Sequence, residues 1–138
     1  MNIFELPRYK WWKNMKILMK NVNLDEFTMI QNNYFKFKFS NSCNGEFCKK
    51  LVCRDVVKCC IENDAFEDEV FSYFVPDVFI KELSNEEIKS ALVYYKYGYN
   101  ADFSDADKLY LILINGNEIC MDIICGKYEL FSKEDMIV

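Results

Sequence analysis

Seven cysteines and no histidine bound the chemistry open to this 138-residue chain. The thiols stand at Cys43, Cys48, Cys53, Cys59, Cys60, Cys120 and Cys125. A cysteine nucleophile works as its thiolate, and a neighbouring base is the common means of making one. Without imidazole, activation falls to a lysine or a helix N-terminus, and nothing in the spacing points to either. Structural zinc favours thiol pairs about two to four residues apart, present twice. Here four residues separate Cys43 from Cys48 and Cys48 from Cys53, five separate Cys53 from Cys59, and there is no Cys-x-x-Cys. The cysteines therefore read as small apolar residues of a reduced, cytoplasmic protein.

Carboxylates are the second candidate chemistry. Asp102, Asp105 and Asp107 share one short segment, a set that can hold a hard cation. A calcium loop needs oxygens at alternating positions and a distal glutamate; counted from Asp102, that distal position is Leu113. The simpler reading is an acidic turn. Pairs of carboxylates can also do general acid–base work, as in glycoside hydrolysis. With 17 acids between residues 61 and 138, some pair is inevitable and carries little information. The four glycines are scattered, so no phosphate-cradling loop exists. No catalytic residue, metal site or cofactor is expected.

The elements that would position these residues can be read from periodicity. Trp11, Met15, Leu18 and Val22 recur at helical spacing, with Lys10, Lys13, Lys16 and Lys20 on other faces, which predicts an amphipathic N-terminal helix. Phe35, Phe37 and Phe39 alternate with Lys36 and Lys38, the period of a half-buried strand, and Asn32-Asn33 before them suits a hairpin turn. Asn44-Gly45 is a second turn signal. Residues 50–62 fit a helix through Val52, Val56 and Cys59, but their β-branched content favours two strands broken near Arg54-Asp55. A weak echo recurs at Ile123-Ile124-Cys125, Gly126-Lys127 and Tyr128 to Phe131, read as another strand–turn–strand unit. Pro76 confines the strand that holds it to an edge or a bulge.

The clearest helix is predicted from about Asn85 to Tyr97. Ser84 and Glu87 form a capping box, Ile88, Ala91, Leu92 and Tyr95 an apolar stripe, and Gly98 the stop. Leu109 to Ile114 and Glu118 to Ile124 read as strands joined at Asn115-Gly116. The expectation is one domain over residues 1–138 of α+β class, mostly antiparallel β-sheet with one or two packed helices.

Charge is divided along the chain. Residues 1–60 carry eleven basic and five acidic side chains, residues 61–138 six and seventeen, giving +6 and −11 and the total of −5. The basic N-terminal residues read as the solvated lysine face of one helix, the alternative being an anchor for phosphate or anionic lipid. The overall acidity argues against nucleic acid, and the longest apolar run, Leu109 to Ile114, is too short to span a bilayer. Two local clusters stand out: Glu62, Asp64, Glu67, Asp68 and Glu69, and Asp102, Asp105 and Asp107. Phe66 and Phe103 lie beside them and can anchor an interface. Each cluster is either a solvated face or a carboxylate surface that pairs with Lys and Arg on a partner.

In size, acidity and A/T-codon-biased composition, with the segments Glu62 to Glu69 and Asp102 to Asp107, the chain resembles the immunity proteins of bacterial contact-dependent and other polymorphic toxin systems. The resemblance is one of character over the whole chain; no family motif matches, and no site residue transfers. It implies a cytoplasmic protein that covers the active site of a cognate toxin domain, in this case a basic nuclease, with no nucleic-acid or membrane partner of its own. The alternatives are a non-enzymatic interaction module of viral or host-interaction type, and a small enzyme using paired carboxylates.

Overall fold

In the computed structural model, residues 15–31, 33–63, 72–88, 108–116 and 118–132 are described. They form six strands: β1 (Lys16–Gln31), β2 (Tyr34–Asn41), β3 (Phe47–Asn63), β4 (Tyr73–Leu83), β5 (Leu109–Asn115) and β6 (Ile119–Ser132). All neighbours are antiparallel, and the order β1-β2-β3-β6-β5-β4 closes on itself as a barrel. Strands make up 82% of the described residues, and helix is a single turn of four residues at 85–88. The α+β expectation is thus overturned: this is an all-β barrel, not a sheet with packed helices.

The amphipathic helix expected at the N-terminus fails for a specific reason. Leu18 and Val22 belong to β1, while Trp11 lies outside the described residues. Register shifts at Leu18 and Asp25, and a positive φ of 52° at Asn21, interrupt the strand's alternation. Met19, Val22, Leu24 and Phe27 consequently all serve the interior at steps of three, two and three residues. Bulges insert extra residues into a strand, and three-residue steps imitate the helical period.

Residues 50–62 were a second misreading. They lie in one continuous strand with a bend at Asp55, whose φ is 54°, so the expected break is a kink and not a turn between two strands. The echo around Gly126 likewise lies inside one continuous strand, β6. Gly126 stands opposite the Asp55 bend, since Arg54 pairs with Lys127 and Val56 with Cys125. A Cβ placed on Gly126 would stand 3.1 Å from the Asp55 Cβ, so the glycine lets the strands approach. The amide of Val56 also donates to the Asn33 carbonyl at 3.1 Å, tying the β1–β2 turn to this bend.

Other turn expectations hold. β1 and β2 join across residues 32–33, and Gln31 pairs with Tyr34. The Asn44-Gly45 signal falls in the β2–β3 connection, where Gly45 has φ 71° and donates to the Asn41 carbonyl. β5 and β6 join at residues 116–118; a Cβ on Gly116 would meet the Ile119 carbonyl oxygen at 2.6 Å. Pro76 lies just beyond the last β4–β5 pair, Asp77 with Asn115, so it is neighboured only by β1 among the described residues. That is a local edge, where a missing amide costs nothing.

Side chains fill the barrel. Leu24, Phe37, Phe39, Leu51, Ile112 and Met121 all point inward and are inaccessible or nearly so. Phe27 stacks on Phe37 and meets Phe35 edge-on, with centroids 4.9 and 5.5 Å apart. A second apolar cluster covers the outside of β4–β5–β6: Leu83, Leu109, Leu111, Leu113 and Ile124, joined by Ile88. The expected capping box is present, since the Ser84 amide donates to Glu87 Oε1 at 3.1 Å and the Glu87 amide to Ser84 Oγ at 3.3 Å. It starts the helical turn that delivers Ile88; the rest of the helix expected to Tyr97 lies outside the described residues.

Burial by itself raises the pKa of Glu87, but its bonds to Lys81 and to the Ser84 amide and hydroxyl outweigh this and hold the carboxyl below its usual value. A carboxylate with a depressed folded pKa adds stability above its unfolded pKa and loses it as pH falls through the folded one. Glu87→Gln should therefore lower the urea midpoint at neutral pH, with the difference shrinking as the pH drops below about 4.

A second expectation concerns the kink. Positive φ costs a non-glycine residue roughly 1–2 kcal/mol, and most for β-branched side chains. Asp55→Val should lose about 2 kcal/mol in urea unfolding, while Asp55→Gly should stay within about 1 kcal/mol of the parent.

Candidate functional site

The outside of the barrel is divided. The apolar cluster around Leu111 and Leu113 covers one part, and the face made by β1, β2, β3 and β6 carries rows of polar and charged side chains, with Ile17, Met29 and Ile30 also exposed along β1. Strand register arranges that face into three rows. One row runs Glu26, Lys38, Lys50, Phe131; the next Thr28, Lys36, Val52, Glu129; the third Gln31, Tyr34, Arg54, Lys127.

Alternation explains why cations gather there. The inward phenylalanines at 35, 37 and 39 force Lys36 and Lys38 outward on β2, and inward Leu51 and Cys53 do the same for Lys50 and Arg54 on β3. Pairing then sets Lys38 directly across from Lys50. Lys38 reaches Glu26 at 3.4 Å, and Thr28 Oγ1 donates to the same carboxylate at 3.2 Å. The Lys50 ammonium lies 5.1 Å from the centre of the Phe131 ring. Arg54 stacks over Tyr34 at 4.6 Å while its Nε donates to Glu129 Oε1 at 3.3 Å. Lys36, between these pairs, makes no ion pair among the described residues. Val52 points outward in the middle of the face yet is 2% exposed. Long cationic stems commonly blanket apolar surface in this way.

The acidic candidates fare differently. Glu62 is exposed near the end of β3, paired with Cys120. Asp64, Phe66, Glu67, Asp68, Glu69, Asp102, Phe103, Asp105 and Asp107 lie outside the described residues. The chain leaves the barrel at Asn63 and returns at Ser72, on the side where Asn115 pairs with Cys120. The second cluster precedes Lys108, at the opposite end of β5. The described anchors of the two clusters are thus separated by the length of β5, about 20 Å at strand rise.

The thiols are spread through the fold, and all seven are free. Cys43 is exposed in the β2–β3 turn, whereas Cys53 and Cys125 are inaccessible inside the barrel. Hydrogen bonding to Cys125 and burial both push the Cys53 thiol far up. Burial, and then the neighbouring Cys60 and Asp122, raise Cys59 to about 12. These shifts run opposite to what a nucleophilic cysteine needs. Asp122 itself is 7% exposed, on the outer face between Cys60 and Leu113, a buried carboxylate that sequence pattern does not single out. Among the described residues no cluster of three or more Cys, Asp or Glu is placed to hold a metal ion. No described helix is long and apolar enough to cross a membrane.

No family model and no curated protein matches the chain. Its fold is similar to that in a crystal structure of an uncharacterized protein from Neisseria gonorrhoeae, with a TM-score of 0.57 and 18% sequence identity. The match covers 84% of this chain and 95% of that one. At this identity the likeness extends to the fold alone.

The cysteine geometry sets an order of reactivity. Under maleimide labelling of the native protein near pH 8, followed by mass spectrometry, Cys43 should modify first. Cys59 should react at least roughly tenfold more slowly, because so little of it is thiolate. Cys53 and Cys125 should label only on unfolding.

Proposed function

We propose that this chain acts by binding another protein, as a stoichiometric inhibitor of the immunity-protein kind, and not by catalysis. Since side chains occupy the barrel interior, recognition falls to the exterior and the connecting segments. The observation that carries the reading is the end of the barrel where β3 leaves and β4 begins. There Ile61, next to Glu62 on β3, is 47% exposed, and Phe74, on β4 across the barrel mouth, is 46% exposed. The acidic residues Asp64, Glu67, Asp68 and Glu69 belong to the segment that connects these two strands.

Large apolar side chains within a charged surround match the anatomy of a protein interface, with anchors at the centre and polar groups at the rim. The carboxylates would steer a basic toxin domain and fix its orientation, and Ile61 and Phe74 would supply the buried contact. Seven free thiols fit a protein that works in the reducing cytoplasm.

The test is co-purification with the product of the adjoining gene in the native locus. Reversing Glu67, Asp68 and Glu69 to lysine should weaken the complex at least about tenfold, chiefly through slower association. Phe74→Asp should weaken it by faster dissociation. Absence of a complex, or one indifferent to both changes, would refute the reading.

A further inference from the structure

The cationic rows on this face of the barrel have a shape as well as a sign. Lys36 and Lys38 on β2, and Lys50 and Arg54 on β3, form a strip two strands wide that follows the strand direction. The acids of this face stand to either side: Glu26 on β1 and Glu129 on β6. Neighbouring strands lie about 5 Å apart and alternate residues about 7 Å. The strip is therefore narrow and about 14 Å long, with one carboxylate at each margin and Lys127 beside Arg54 on β6.

Two features show that the strip is not arranged for stability. Lys38 and Lys50 face each other directly across β2 and β3, an arrangement that destabilises a sheet. Glu26 compensates only Lys38, and the partner described for Lys50 is an aromatic ring. Lys36, in the middle of the face, has no carboxylate partner among the described residues. An anion laid along the β2–β3 seam would relieve both.

We propose that this seam is a binding track for the backbone of a single-stranded nucleic acid. The linear order of Lys36, Lys38, Lys50 and Arg54 along one seam suits a linear polyanion, whose charges follow one another in single file, better than a broad acidic surface. An extended single strand can lay roughly three phosphates along a strip of this length. Tyr34, on β2 in the third row, and Phe131, at the β6 end of the first, provide aromatic surface beside the backbone, as single-strand binders do. The acidity of the whole chain lowers the affinity without erasing a local field of this kind, which acts within about a Debye length. The inference is independent of the toxin-binding end of the barrel.

Fluorescence anisotropy of the full chain with a dye-labelled ten-nucleotide DNA of mixed sequence tests it. Binding should appear at low salt and weaken with a log–log slope near −2, as roughly three phosphates at about −0.7 each require. Lys36→Glu with Lys50→Glu should weaken binding at least about tenfold. Glu129→Gln with Glu26→Gln should strengthen it several-fold, a direction that loss of folding does not produce; circular dichroism confirms that each variant is folded. No binding at low salt would overturn the proposal, as would affinity unmoved by either pair of substitutions. Equal or better competition by poly-glutamate of matched charge would overturn it in favour of an acidic peptide.

Discussion

The whole arrangement depends on three residues of β1 that pair with two neighbouring strands at once. Val22, Asn23 and Leu24 pair with Asn41, Ser40 and Phe39 of β2, and also with Val75, Phe74 and Tyr73 of β4. Before them β1 runs beside β4, and after them beside β2. The strand can change neighbours because Asn21 and Asp25 bend it on either side. Without that crossing the six strands would be an open sheet with the phenylalanines of β2 facing water. Closure is what converts Phe35, Phe37 and Phe39 into a core, and it leaves their lysine neighbours gathered outside.

Across the barrel, the positive-φ bend at Asp55 of β3 faces Gly126 of β6, where the missing side chain leaves it room. The cationic residues Lys50 and Arg54 of β3 precede that bend and pair with β2. The sequence marks the place only by an aspartate and a glycine.

Local chemistry was legible residue by residue. The Ser84–Glu87 capping box, the alternation of Phe35 to Phe39, the Gly45 turn and the Asn115-Gly116 connection each rest on contacts within a few residues, and each is present. What misled was interrupted periodicity. The bulges in β1 turn a strand's spacing into a helix's, and the single bend in β3 imitates a turn. Register is not local at all: no pattern within β2 or β3 announces that Lys38 will meet Lys50. The lysines of β2 therefore read as ordinary solvated residues until pairing gathered them. The two acidic clusters stood out locally in the sequence, but nothing there announced that their described anchors stand at opposite ends of β5.

Closure through β1 also governs how the molecule must assemble. Lys16 meets Ile80 and Lys49 meets Ser132, pairs separated by 64 and 83 positions along the chain. The β1–β2 and β5–β6 hairpins can zip from their turns, but the cylinder is sealed only when such distant segments find each other. Chains dominated by contacts of this range fold in milliseconds to seconds, not microseconds. Until the seal forms, β2 carries its phenylalanines on an open face, and a newly made chain is then at its most vulnerable to self-association.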